Sequence, residues 1–536
     1  MDSQILILIV FAAYFSFIIG LAIYFRKSKN MEDYFLGGRN LNTWVGALSA
    51  QTSDMSGWLL MGLPGAIFAF GTGRAWIVVG LILGTVLNWI FVAKKLRRYT
   101  IVAKNSITLP EYLENRFHDK SHILKFIAAI FFAIFFTVYA ASGFVAGGTL
   151  LPEIFSVNYH VAVIILAAFV VAYTLIGGLK AISWTDSIQG MMMLLAILIL
   201  PLIVIAHMGG FGAVADGIPA GHLNMFTVGG DNVGAISIIS DLAWGLGYFG
   251  MPHILIKLMA IGKEKYVKKS AAIAIIWVVL ALGAAIMTGL VGSAFVPGIP
   301  NREIVFIEMI QRIFFDGGVG MILIGGLFLC GMFAAIKSTA DSQLLVASSA
   351  FGDMYKQVNK KASNKNLVWF SRGAVLVVAL IALWIALSAY DPEIGGPNRN
   401  TGVMVLVSMA WAGFGAAFGP LVLCSLFWKR TNKAGAIAGV AAGGLTVIIW
   451  HYVPMFLREV DGVMTRIPLA DETGLFSIVP GFALSLIAII AFSLLTKKPS
   501  QEILDEFEIA RKPLVEDDDG KEIIGCAKEV VAEEIL

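Results

Sequence analysis

Four ionisable residues stand inside stretches that are otherwise almost free of charge: Asp54, Asp186, Lys337 and Asp341. A charge at membrane depth is costly to hold, so each is first a candidate for function. Asp54 can attract a cation or cap freed backbone N–H groups. Asp186, in Ser183-Trp184-Thr185-Asp186, can cap the helix it opens or serve as a station for an ion leaving to the cytoplasm. Lys337 and Asp341 are i, i+4 and can neutralise each other along one helix face; alternatively, the Lys337 ammonium is a resident cation and Asp341 is drawn toward a bound one. Helical geometry puts Ala335, Ser338, Thr339 and Ser342 on a neighbouring face. The adjacent hydroxyls and a nearby carbonyl are hard oxygen ligands suited to sodium, although such hydroxyls also bond their own backbone or join helices. Trp244 and Tyr248, i and i+4, with Trp58 and Trp411 near other Gly-rich segments, offer aromatic walls for a small amphiphilic solute.

The elements that must position these groups are membrane spans. Of 536 residues 58% are hydrophobic and only 14% charged, too few to clothe a soluble core, whose norm is about 25% charged. Apolar runs recur about thirteen times, each near the roughly 20 residues needed to cross a bilayer. With the N-terminus outside and the C-terminus inside, the cytoplasmic loops collect Arg26, Lys27 and Lys29; Lys94, Lys95, Arg97 and Arg98; Lys180; Lys263, Lys265, Lys268 and Lys269; Lys356, Lys360, Lys361 and Lys365; Lys429, Arg430 and Lys433; and Lys497 and Lys498. The opposite loops are nearly bare, as the positive-inside rule requires.

Two of the runs are rich in Gly, Ser and Pro. One carries Ser53-Asp54-Met55-Ser56-Gly57-Trp58 and then Gly62-Leu63-Pro64; the other carries Ser240-Asp241-Leu242-Ala243-Trp244-Gly245 and then Gly250-Met251-Pro252. They lie five spans apart and cross in opposite directions, the pattern of an inverted repeat. Paired Gly/Pro-interrupted spans point to a transporter's midplane site, because irregular backbone at that depth must line a cavity or be buried in protein. The expected organisation is 1–40, first helix and cytoplasmic loop; 41–208, first five-helix repeat; 233–428, second inverted repeat; 433–496, two further helices; and 497–536, a solvated acidic cytoplasmic tail. The fold class is an all-α polytopic membrane protein.

Other chemistries find no support. Cys330, Cys424 and Cys526 are scattered, fitting neither a disulfide framework nor a metal cluster. Asp2 precedes the first apolar run and Arg26-Lys27 follows it, so that run reads as a retained helix, not a signal peptide. The chain contains no phosphate-binding loop, no metal-spaced His/Cys set and no nucleophile elbow. A net charge of +3 gives no case for nucleic acid.

The strings Asp33-Tyr34-Phe35-Leu36-Gly37-Gly38-Arg39, Ser53 to Gly62, Trp244 to Gly250, Ser338-Thr339 and Ala410-Trp411-Ala412-Gly413-Phe414-Gly415 resemble the sodium/solute symporter family, in its sodium/proline symporter branch. The resemblance runs from about residue 5 to 495. It implies a leucine-transporter-like core of two inverted five-helix repeats, no enzymatic activity, no organic cofactor, residence as a monomer in the inner membrane, and sodium-coupled uptake of proline. It implies sodium ligation by the carbonyls of Thr52, Met55 and Ala335 and the hydroxyls of Ser338 and Thr339. Proline would lie near Ser56, Gly57, Trp58, Trp244, Tyr248 and Pro252. Asp54 and Asp186 match acids tied to sodium use, and Arg39 a cytoplasmic residue that affects coupling. Two departures stand out: Lys337 replaces an uncharged Met beside the sodium hydroxyls, and Met251 replaces a Gln. They leave open another small solute, proton coupling with Lys337 as the resident cation, and, more remotely, a membrane sensor.

Overall fold

The computed structural model describes residues 3–25, 31–359, 361, 363–392, 396–398, 401–460, 463–516 and 522–524. Arg26, Lys27, Lys29, Lys360, Asp517 to Asp519 and Cys526, on which part of the topology and tail reading falls, lie outside the described residues.

Ten described helical stretches are long and apolar enough to cross a membrane, and the chain is a multi-pass membrane protein. Large apolar side chains such as Leu8, Ile165, Leu380 and Trp384 face outward from them, which suits lipid and not water. Two stretches are longer than a single crossing needs, and each is interrupted. Thr43–Val102 has 60 residues, about 90 Å at 1.5 Å per residue, against a hydrocarbon core of about 30 Å. Its chain turns at Gly71, where φ is 76° and a Cβ would sit 2.5 Å from the His222 backbone. Tyr159–His207 has 49 residues and is broken at Gly178, with φ 66° and ψ 174°.

Two more departures from helicity fall in the Gly-rich segments. The helix Thr43–Gly57 contains Ser56 at φ 45° and ψ −168°, a conformation that L-residues rarely adopt, followed by a π-helical turn over Trp58–Gly62. In the second segment, Ala235–Leu242 gives way to a 3-10 turn over Ala243–Phe249. Met251 is then extended, and a new helix starts at Pro252–Met259, with Pro at its first position, where its missing N–H costs nothing. The segments meet through glycine. A Cβ on Gly84, in the helix Trp76–Leu87, would lie 2.2 Å from the Gly245 carbonyl oxygen, so the two backbones touch where no side chain fits.

Helix Val319–Val358 runs through the centre, packed on Ile123–Phe155, Tyr159–His207 and Thr43–Gly57; Val403–Phe427 closes the other side against the 3-10 turn. Among the described residues the β content is four two-stranded antiparallel pairs outside the long helices, one of them Pro454–Val460 with Val463–Pro468.

The expected solvated tail is corrected over its described part. Gln501–Arg511 is a docked helix with Ile503, Phe507 and Ala510 buried. Phe507 packs on Tyr99 at 6.1 Å and lies under the Arg116 guanidinium. Farther on, Leu514–Glu516 pairs with Glu522–Ile524, and Glu522 forms an ion pair with buried Arg97 at 2.9 Å. Apolar residues at i, i+4 and i+7 of the short helix supply the burial that the acidic composition hides.

Candidate functional site

The break at Ser56 frees backbone groups that the helix Val319–Val358 meets with hydroxyls. The Ser56 N–H donates to Thr339 Oγ1 at 3.0 Å. Ser338 and Thr339 each direct their hydroxyls at the Thr52 carbonyl, 3.4 Å away, and Ser338 also donates to the Ala335 carbonyl at 3.2 Å. Thr52, Ala335, Ser338 and Thr339 therefore converge as two carbonyl and two hydroxyl oxygens, all buried. This is a neutral oxygen set that fits a monovalent cation. The Met55 carbonyl accepts the Trp58 N–H instead.

Beside the break, Asp54, Trp58, Tyr139, Trp244, Tyr248 and Trp411, with Met55, Leu81 and Val407, line a narrow, nearly closed cleft of about 10 Å³, the room of a single water. Its walls are aromatic because both interrupted segments present their rings here. Trp58 stacks on Trp244 with centroids 5.8 Å apart, and Trp244 stacks on Trp411 at 6.3 Å and on Phe476 at 5.1 Å. The Trp411 indole N–H donates to the Trp244 carbonyl at 2.7 Å, tying Val403–Phe427 to the 3-10 turn. The Trp58 indole N–H faces the Met404 sulfur. Asp54 Oδ2 accepts the Tyr248 hydroxyl at 2.6 Å, while the Asp54 carbonyl accepts the Tyr139 hydroxyl at 3.2 Å. Asp54 thus caps no helix. Ser56 and Gly57 sit at the break itself; a Cβ on Gly57 would meet Ala146 at 2.9 Å and Ile336 at 3.3 Å. Pro252 starts the helix beyond the second break and is not among the residues lining the cleft.

Around the oxygen cluster are two buried ion pairs. Lys337 Nζ lies 2.6 Å from Asp341 Oδ2, and the ammonium sits over the Tyr173 ring, 3.3 Å from its centroid. The i, i+4 pairing read from the sequence is present. Asp186 forms the other pair with a residue the sequence reading passed over: Lys257 Nζ is 2.8 Å from Asp186 Oδ2, and Ser49 and Ser342 donate to the same oxygen at 3.1 and 3.4 Å. Lys257 also donates to the Ser49 hydroxyl. The Asp186 node thereby joins Thr43–Gly57, Tyr159–His207, Pro252–Met259 and Val319–Val358. The capping role considered for Asp186 is corrected, since Asp186 lies two turns beyond the break at Gly178, inside the helix. Lys257 is a charge inside an apolar segment, the same signal that singled out the other four.

Arg39 is remote from the cluster. It donates to the carbonyls of Met259 and Ser106, both at 2.8 Å, and to Asn105 Oδ1 at 3.0 Å, tying the segment before Thr43–Gly57 to the end of Pro252–Met259 and to the loop after Ala93–Val102.

The model of the sodium:solute symporter family matches residues 34–443. The chain is 43% identical over 489 residues to the high-affinity proline transporter PutP of Bacillus subtilis (strain 168), covering 90% of this chain and 96% of that protein. It is 44% identical over 512 residues to the sodium/proline symporter of Escherichia coli (strain K12), covering 93% and 95% respectively. Among solved structures, a substrate-bound, outward-open sodium-coupled sialic acid symporter superposes with a TM-score of 0.73 at 19% identity, covering 92% of this chain and 99% of that one. A nucleobase-cation-symport-1 family transporter in a closed conformation superposes at 0.51 and 13% identity, covering 90% and 99%. These neighbours share the leucine-transporter-like fold. Members of the matched family are transporters and not enzymes. On the family match and the two relatives above 40% identity, this chain belongs to the sodium:solute symporter family.

Proposed function

We propose that this chain is a secondary active transporter that moves L-proline into the cell together with sodium by alternating access. The observation that carries the reading is the identity of more than 40%, across nine-tenths of the chain, with a proline transporter and a sodium/proline symporter. The convergence of Thr52, Ala335, Ser338 and Thr339 supports it, while the Met55 carbonyl accepts the Trp58 N–H in this conformation. Sodium takes the carbonyls of Thr52, Met55 and Ala335 and the hydroxyls of Ser338 and Thr339, linking the broken Thr43–Gly57 helix to Val319–Val358. That link orders the break, so Ser56, Gly57 and Trp58, with Trp244 and Tyr248 of the other segment, present a polar edge and an apolar wall to proline, and Pro252 fixes the start of the helix beyond the second break. Only a conformation that joins the two helices offers all the oxygens, so sodium binds it preferentially and shifts the population toward it. Asp54, held by Tyr248, shapes the cleft. Asp186 receives the ion on its way to the cytoplasm; its Oδ1 is buried without a hydrogen-bond partner among the described residues. Arg39 acts at the cytoplasmic mouth.

The architecture proposed with this function has thirteen spans with the N-terminus outside and the C-terminus inside. Thr43–Val102 and Tyr159–His207 each count twice, and the interrupted Ala235–Met259 segment, too broken to count as one long helix, adds a crossing to the ten. The spans within 41–208 and 233–428 form two inverted five-helix repeats in a monomer of the inner membrane. The paired interruptions support this reading.

A second reading keeps the fold and couples it to protons. The buried Lys337 ammonium, next in sequence to Ser338, favours it as a resident cation. Proteoliposomes separate the two. Proline uptake driven by an inward sodium gradient, and competed by proline analogues but not by pantothenate or sugars, supports the first reading. Uptake that persists in sodium-free buffer and dissipates a pH gradient supports the second. No proline uptake by folded protein under either gradient overturns both.

A further inference from the structure

Trp244 lines two cavities. One is the nearly closed cleft; the other is a vestibule of about 320 Å³, to which Met404, Phe476 and the ion-paired Arg74 and Asp241 also contribute. The vestibule falls within the range of about 300–1,000 Å³ usual for small-molecule sites, whereas the cleft is shut. Between them, Trp58 and Trp244 face the cleft. Met404, at the Trp58 indole N–H, and Phe476, stacked on Trp244 with centroids 5.1 Å apart and planes at 21°, face the vestibule. Phe476 comes from outside both proposed repeats. It stands in the short connection 474–477 between Leu469–Thr473 and Ile478–Leu495, where Gly474 takes a left-handed φ of 62°. Two clasps hold this connection. From the helix Lys433–Tyr452, the Trp450 indole N–H donates to the Leu475 carbonyl at 3.1 Å. From the first part of the interrupted segment, the Ser240 hydroxyl accepts the Phe476 N–H at 3.0 Å and donates to the Gly474 carbonyl at 3.4 Å. Ser240 and Trp244 are i, i+4, so the second clasp and the stack engage the same segment about one turn apart.

We infer that Phe476 is a positioning residue for transport: it holds the Trp244 ring in the outer wall of the cleft, and the substrate passes from the vestibule into the cleft only when this stack opens. The chemistry suits a barrier that opens in every cycle. A stacked aromatic pair excludes water, yet it biases the closed state only about two- to tenfold beyond its buried area. The Ser240 clasp is neutral, so releasing it strands no charge, and water from the vestibule replaces both of its hydrogen bonds. The last two helices thereby take part in the reaction cycle through one side chain. The inference rests on the topology and transport function proposed above, which put 474–477 at the outer face.

The test places a reporter thiol in the cleft wall of the full chain, V407C, in right-side-out vesicles. Its rate of modification by a membrane-impermeant methanethiosulfonate ammonium reagent is read against the parent chain, whose Cys330 and Cys424 are buried. Added to V407C, F476A should raise the rate about fivefold. S240A should raise it in the same direction with the ring still present, and F476Y, which keeps a ring, should leave it unchanged. Unchanged rates in both F476A and S240A would overturn the inference. So would an equal increase in L484A, whose side chain is exposed on the helix that follows Phe476, since that would show a general loosening of this helix. An increase confined to inverted vesicles would overturn the inference together with the proposed topology. Modification is read without transport, so failed proline uptake with the expected rates would count against the proposed function alone.

Discussion

At the residue scale, the two buried ion pairs and the hydroxyl cluster make separable predictions. Removing one partner of a buried pair leaves an uncompensated charge and costs about 3–5 kcal/mol, whereas replacing both with neutral side chains can be nearly neutral. Lys337→Met should therefore lower the thermal unfolding midpoint of the purified protein sharply, and the double variant Lys337→Met/Asp341→Asn should recover most of the loss. A single variant as stable as wild type would mean that Asp341 finds another partner. Ser338→Ala and Thr339→Ala should each raise the sodium concentration for half-maximal uptake about tenfold, the equivalent of about 1.4 kcal/mol, with uptake restored at high sodium. Unchanged sodium dependence in both would remove these hydroxyls from the proposed site. Lys337 with Asp341 was legible because helical spacing alone brings them together. The pairing of Lys257 with Asp186 was not, because it depends on how two distant segments pack.

At the element scale, the glycine contact between Trp76–Leu87 and the 3-10 turn sets the approach of one interrupted segment. Gly84→Ala places a methyl 2.2 Å from the Gly245 carbonyl, and overpacking of this kind costs about 1–3 kcal/mol. It should depress proline uptake and the melting temperature together. Gly283→Ala, in a helix with nothing within 4 Å of the added carbon, should instead be neutral or stabilise by about 0.5–1 kcal/mol. Equal behaviour of the two variants would show that the contact does not hold the segments. Both interruptions were legible from paired Ser-Asp and Gly-x-Pro strings, since Gly and Pro act on the local backbone. The place of the first break was less so: the chain turns at Ser56, a residue with no special backbone freedom, because the Thr339 hydroxyl meets its N–H. The docked helix Gln501–Arg511 was hidden by its acidic surroundings, which mask three buried residues on one face.

At the scale of the whole molecule, parts far apart in sequence are tied by charges outside the spans. Burial alone would raise the Asp119 carboxyl, but the Ser121 hydroxyl, the Leu124 N–H and the Lys433 ammonium at 3.1 Å together hold it below the usual carboxylate range. A depressed folded-state pKa gives stability that is present above the unfolded value of about 3.9 and is lost as pH falls through the folded value. Thermal stability should therefore fall on acidification below about pH 4, and Asp119→Asn should both lower it near neutrality and flatten that acid limb. An acid limb unchanged in the variant would assign the loss to other carboxylates. The two internal ion pairs have a different consequence. Each of Lys257–Asp186 and Lys337–Asp341 sums to zero, so a rocking motion that carries them across the bilayer field performs no electrical work on the protein itself. Electrogenicity then belongs to the cargo cation: without sodium, rapid proline addition on a solid-supported membrane should give no displacement current, and with sodium each transferred charge should respond to voltage by about 2.3 kcal/mol per 100 mV.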